Sequence, residues 1–132
     1  MEEVYKFLRE NPTFFLATMD GDQPRVRPFG AIDLFEGRLY IQTGNVKATF
    51  RQLEKNPKLE ICGITADGRS WLRVEATAVC DDRREARQHM LDENPALKPM
   101  YSADDGNCEV LYLKDATAYF SSFSEPMRVV RF

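Results

Sequence analysis

The chain has 132 residues, 43% of them hydrophobic, with a net charge of −3 and a pI of about 5.2. That length and apolar content suit one domain, residues 1–132, with a single real core. The acid excess, with arginines interleaved among acids and no basic block, argues against nucleic acid or an anionic membrane surface as partner.

The predicted elements run as follows. Glu2 to Glu10 is an amphipathic helix with Val4, Phe7 and Leu8 on one face, stopped by Asn11-Pro12. Thr13 to Met19 (TFFLATM) is an apolar strand, and Asp20-Gly21-Asp22 is a hairpin turn. Pro24 to Phe35 (PRVRPFGAIDLF) is a longer strand region interrupted at Pro28 and Gly30. Proline there implies an edge or a bulge, and Gly30 suggests close approach of another group. Glu36-Gly37 turns the chain into the strand Arg38 to Thr43.

A helix follows from near Val46 to Asn56-Pro57, with Asn45 as its expected N-cap. Val46, Phe50 and Leu53 would form its apolar face, and Lys47, Arg51 and Lys55 a basic one. Lys58 to Thr65 and Ser70 to Cys80 are strands; Leu72, Val74, Ala76 and Ala78 alternate with Trp71, Arg73, Glu75 and Thr77. Asp82 to Asn94 is a charged helix capped by Asp81 or Asp82, and Ala96 to Tyr101 reads as one more helical turn. Glu109 to Leu113 and Thr117 to Ser121 are two strands joined at Lys114-Asp115, and the tail ends in a strand-like run, MRVVRF. Strands outnumber helices and most neighbours are joined by hairpin turns. That order predicts a mainly β, antiparallel barrel with helices at its openings.

Cys62, Cys80 and Cys108 are odd in number and widely spaced, so neither a disulfide framework nor a zinc site is expected. Each lies in an apolar run and reads as a buried reduced thiol. There is no signal-peptide core and no apolar run that could span a membrane, so a cytoplasmic location is expected. His89 is the one histidine, and its charged helix marks it as a surface residue. Transition-metal chemistry has no ligand set here, and no metal is expected. The chain contains no G-x-S-x-G, P-loop or G-x-G-x-x-G. Any chemistry must therefore reside on a bound cofactor.

The stretch IQTGNVKATFRQLEKNP, 41–57, places a hydroxyl, an amide, free backbone N–H groups and Lys47 together at a helix start. Those groups make a phosphate site. The plain alternative is a solvated lysine on an exposed helix face.

The organisation resembles the FMN-binding split β-barrel of the pyridoxamine 5′-phosphate oxidase-like proteins, and within it the small nitroimidazole-resistance (Nim) type flavoproteins. The resemblance spans nearly the whole chain. Four stretches carry it: GDQPRVRP at 21–28, LYIQTGNVK at 39–47, QLEKNPKL at 52–59 and WLRVEATA at 71–78. It implies that Arg27, Pro28 and Phe29 lie along the flavin. Ile41 and Gln42 would offer backbone groups to its ring edge or ribityl chain, and Thr43 and Lys47 would hold its phosphate. Trp71, on the strand that edges the ring, would stand where relatives often carry a polar flavin contact. It also implies FMN as cofactor and a homodimer with the flavin between subunits. The tail FSSFSEPMRVVRF departs from the oxidases proper in having no histidine, so pyridoxamine 5′-phosphate is not the expected substrate.

The expected activity is oxidoreduction, passing hydride or electrons from reduced flavin to a small electron-poor acceptor, a nitroaromatic or quinone. Two rivals stand beside it: a non-enzymatic flavin carrier on the same fold, and a barrel that binds another planar ligand such as haem.

Overall fold

The computed structural model describes residues 1–132. In chain order the elements are α1 (Glu2–Glu10), β1 (Phe14–Asp20), β2 (Gln23–Phe29), β3 (Ile32–Phe35), β4 (Arg38–Gly44), α2 (Ala48–Lys55), β5 (Lys58–Ile64), β6 (Ser70–Asp81), α3 (Arg84–Glu93), a 3-10 turn at Pro95–Leu97, β7 (Cys108–Ser122) and β8 (Arg128–Arg131).

All strand pairs are antiparallel, in the order β2-β1-β5-β6-β7-β4-β3, with β8 added to β7. The two end strands, β2 and β3, are consecutive in the chain and joined only by Gly30 and Ala31. Three residue steps reach no more than about 11 Å, so the sheet curls until its edges stand side by side without pairing. That is a split barrel, as expected.

Strand β7 makes the split possible. Its first part pairs with β4, from Cys108 to Tyr112, and its last part pairs with β8, from Thr117 to Phe120, while β6 runs along both. Opposite Glu75–Thr77 of β6, β7 spends one extra residue between Lys114 and Thr117, and Asp115 sits at φ 51°. This is a β-bulge, which bends a strand without ending it. The expectation of two strands joined by a turn at Lys114-Asp115 is therefore corrected to one bent strand. Ala116 and Phe132 then exchange both backbone hydrogen bonds, at 2.8 and 2.9 Å, fastening the end of the chain to the bulge.

The inward faces follow from alternation. Leu72, Val74, Ala76 and Ala78 point into the main core with Phe14, Leu16, Leu39 and Ile61, and Val4 and Leu8 of α1 plug one opening. Leu8 packs so close to Gly63 that a Cβ there would lie 3.1 Å from its Cδ2. Gly63 is thus a glycine that close approach requires, as is Gly44, where a Cβ would lie 3.0 Å from Asn107 Oδ1, whereas a Cβ on Gly30 would meet nothing nearer than 3.7 Å. The turn at Glu36-Gly37 holds both residues at positive φ, 50° and 73°, the geometry of a two-residue hairpin loop.

Other local expectations are corrected. The region 24–35 is two strands, because the chain leaves one sheet edge and joins the other at Gly30-Ala31. Pro28 stays inside β2, an end strand where a missing N–H is tolerated. Helix α3 starts at Arg84, two residues later than read, with Arg83 as its uncapped N-terminal residue. Asp81 belongs to β6, and Asp82 follows it. Only Cys108 is buried; Cys62 and Cys80 are exposed, since they point outward on β5 and β6. Val46 is 67% exposed because it precedes α2 and cannot share its face.

Candidate functional site

A cavity of about 570 Å³ opens where β2, β4, the start of α2 and the end of α3 converge. Volumes of roughly 300–1,000 Å³ are usual for cofactor pockets. Register explains one wall. Strand β3 pairs with β4 only as far as Ile32↔Ile41, whereas β4 continues through Gln42, Thr43 and Gly44 with β7 on its other side. Gln42 and Thr43 therefore have one unpaired strand edge and line the cavity. Both are buried, at 6% and 3% exposure. The Gln42 amide donates to the Thr43 carbonyl at 3.0 Å.

Two cations reach the cavity. Arg27, half-buried on β2, donates from Nη1 to Thr18 Oγ1 at 2.7 Å and to the Leu16 carbonyl at 3.2 Å, and from Nη2 to Gln52 Oε1 at 2.8 Å. Burial, with the Arg25 charge nearby, pulls its pKa below the ordinary arginine value. Lys47 lies exposed at the mouth. Glu93 lines the same space but pairs with neither cation.

Lys47 is itself the residue before α2, with extended φ −82° and ψ 149° and no side-chain cap on the helix. The expected cap, Asn45, is turned away; its amide donates to the Gly106 carbonyl at 2.8 Å and to Glu109 Oε1 at 3.2 Å. Asn107 Oδ1 accepts from Val46 N instead, at 3.3 Å. The amides of the first turn of α2 are left without a capping side chain, and such amides carry about half a positive charge. Thr49, in that turn, is buried and lines the cavity.

Apolar side chains line the cavity as well: Phe29, Ala31, Leu97, Met100 and Tyr101. Cations, free amides, and apolar and aromatic side chains lining one cavity suit a planar ligand with a phosphate tail, so the residues present fit FMN.

Of the residues singled out by sequence, Arg27, Pro28, Phe29, Gln42, Thr43 and Lys47 line this one cavity. Two do not. The Ile41 side chain is fully buried in the main core, on a strand paired on both sides at that position. Trp71 lines a separate cavity of about 650 Å³ with Phe7, Phe120, Met127 and Arg128, edge-to-face with Phe123 at 5.3 Å. The sequence predicts only a helix end and a helical turn between Glu93 and Tyr101; in the structure this stretch lines the cavity. The signal available was Asn94-Pro95 followed by apolar residues spaced for no strand. Gln52 and Thr18, which hold Arg27, left no signal at all.

The charged helix marks His89 as a surface residue, and the structure corrects this: it is partly buried. Its Nδ1 lies 2.7 Å from Oδ2 of fully buried Asp33, and its ring stacks on Phe35 at 4.5 Å between centroids. Asp33 Oδ1 has no hydrogen-bond partner. Burial raises the Asp33 pKa above the usual carboxylate value, against the pull of His89. Although Cys80 lies on the outer face, the protein packed around its thiol and the Glu109 carboxylate beside it push its pKa up to about 12, which leaves it a poor nucleophile. No set of three or more His, Cys, Asp or Glu side chains is arranged to hold a metal ion, and no helix is long and apolar enough to cross a membrane.

A family model described as pyridoxamine 5′-phosphate oxidase matches residues 1–120. Among solved structures, a NimC/NimA family protein from Clostridium acetobutylicum is 43% identical, covering all of this chain and 92% of that one, with a TM-score of 0.97. General stress protein 26 from Bacillus anthracis is 18% identical over 99% of this chain and 97% of its own, with a TM-score of 0.77. A pyridoxamine 5′-phosphate oxidase-related, FMN-binding protein from Nostoc punctiforme is 17% identical over 99% and 95%, with a TM-score of 0.66. No curated protein matches the chain.

Proposed function

This chain belongs to the pyridoxamine 5′-phosphate oxidase family, in its NimC/NimA type, and on that premise we propose that it is an FMN-dependent oxidoreductase acting on a small electron-poor acceptor. One observation carries the reading: Arg27 and Lys47, neither paired with a carboxylate, face one cavity at the uncapped start of α2. Cations without counter-ions beside free amides are the arrangement that receives a phosphate.

In this reading Lys47, Arg27 and Thr43 take the phosphate. The open edge of Gln42 and Thr43 offers backbone groups to the ligand, and Pro28 and Phe29 lie along its ring. When bound, FMN supplies the hydride and electron transfer. The chain binds it, orients it and excludes water from its apolar side.

The working unit is one domain per subunit, residues 1–132, in a homodimer that brings the Trp71 cavity of one subunit to the flavin of the other. Support comes from exposed apolar side chains on the outer sheet face and tail, among them Phe15, Val26, Ile64 and Phe123, which a second subunit would cover. Light scattering should return twice the 15.2 kDa chain mass; the single-chain mass would remove this part of the reading.

Mass spectrometry of the ligand released from purified protein should find FMN, and haem or no ligand would overturn the assignment. Stopped-flow mixing of anaerobically reduced protein with metronidazole or menadione should restore the oxidised flavin band. Pyridoxamine 5′-phosphate should not bleach the oxidised protein, since the tail has no histidine to help grip a second phosphate. A flavin that no acceptor reoxidises would make the protein a carrier.

A further inference from the structure

The acceptors that hold Arg27 are all neutral. Leu16 supplies a carbonyl, Thr18 a hydroxyl, and Gln52 the oxygen of its amide. The Thr18 hydroxyl also donates to Gln52 Oε1, so that oxygen receives both Arg27 and Thr18. Thr18 is 2% exposed, which keeps the group fixed on the inner face of β1. Gln52 stands on α2, the same helix whose start carries Lys47. The helix therefore sets both cations of the site, one at its N-terminus and one through an amide on its second turn.

Three of the five guanidinium N–H groups are engaged in this way. The remaining donors are left for a ligand. A carboxylate in place of the Gln52 amide would bind Arg27 more strongly and cancel its charge. A half-buried cation keeps more of its field than one in water, so the choice of a neutral acceptor decides how much attraction the cavity has for an anion.

We infer that Gln52 is a positioning residue that holds Arg27 oriented and without a counter-ion, so that the cavity selects phosphate monoesters over their neutral counterparts. The inference rests on the FMN reading for its ligand and extends it to the source of the selectivity.

The test compares Gln52→Glu and Gln52→Met with the parent chain, titrating flavin-free protein with FMN, riboflavin and inorganic phosphate. Q52E retains an acceptor for Arg27 and Thr18 and should fold with an undiminished thermal midpoint. Its FMN affinity should fall roughly 10- to 100-fold, the worth of a charge-assisted contact, with riboflavin changed by no more than about 3-fold. The neutral Q52M should lose only a few-fold in FMN affinity. The deficit of Q52E relative to the parent should shrink as acid protonates the introduced carboxylate, a transition that a merely structural role for position 52 does not produce.

An unchanged ratio of FMN to riboflavin affinity in Q52E, or equal losses in Q52E and Q52M, would overturn the inference. A parent protein that binds neither flavin would sink the proposed function instead, and inorganic phosphate would then decide the inference. Protection of the parent but not Q52E against thermal unfolding supports it; equal protection, or none, overturns it.

Discussion

Arg27 and Arg83 are both partly buried guanidinium groups held by several acceptors, and their surroundings are electrically opposite. Arg83 meets Asp81 at 2.9 and 3.0 Å and Glu36 at 2.9 Å, with Glu85 at 3.7 Å. Its pKa is raised, chiefly by the hydrogen bonds to Asp81 and then Glu36. In return Arg83, with Tyr40 donating from its hydroxyl at 2.7 Å, draws the Asp81 carboxyl down to about 2. Arg27 has neutral acceptors only, and its pKa is lowered. One arginine is an internal fastener between β6, α3 and the β3–β4 turn. The other has its geometry fixed and its charge left unspent. The difference separates a residue that holds the fold from one that waits for a ligand.

The sharpest way to break that distinction is to remove the cations at the cavity. Lys47→Ala should weaken FMN by about 10- to 150-fold, the equivalent of roughly 1.5–3 kcal/mol, and should barely touch riboflavin or the thermal midpoint. Flavin-fluorescence titration measures both affinities, and equal losses would end the phosphate assignment.

The fastener side should respond in stability and not in affinity. Asp81 is 8% exposed, and its folded-state pKa of about 2 lies below the ordinary 3.8. A depressed carboxylate contributes stability that is present above the unfolded value and lost as pH falls toward the folded one. Asp81→Asn should therefore cost about 2 kcal/mol near neutral pH, and the gap should close between about pH 4 and pH 2. Urea denaturation across that range reads it, and FMN affinity at neutral pH should stay at the parent level.

A third variant separates the two carboxylates of the interior. His89 is the side-chain partner of buried Asp33. His89→Ala should cost about 1–3 kcal/mol by leaving that carboxyl under-bonded, read as a lower urea midpoint. Asp33 runs opposite to Asp81 in pH. Its folded pKa is raised, mainly by burial, so its contribution is greatest in acid and lost as pH rises through the folded value. Asp33→Asn should therefore gain on the parent as pH climbs out of the carboxylate range.

Sequence by itself determined the alternating face of β6. Leu72, Val74, Ala76 and Ala78 alternate because a half-buried strand needs them to, and every one of them is in the core. Helix α1 was legible to the residue, since its apolar stripe and the Asn11-Pro12 stop are local signals. Six of the eight residues singled out for the site share a single cavity, for the same reason: they lie in two short stretches, 27–29 and 42–47, whose chemistry is concentrated along the chain.

What tertiary structure alone decided depends on partners far apart in sequence. The bulge at Asp115 follows from pairing with β6 on one side and with β4 and then β8 on the other. Asn45 reads as a cap until Asn107 and Glu109 arrive to claim the neighbourhood. His89 reads as surface until Asp33, 56 residues away, supplies an acceptor. Whether Arg27 is a solvated charge or an oriented one was settled by Gln52, 25 residues along, and Thr18, 9 residues back. Local propensity and alternation belong to neighbouring residues, whereas the burial and charge balance of a side chain belong to whatever the fold brings beside it.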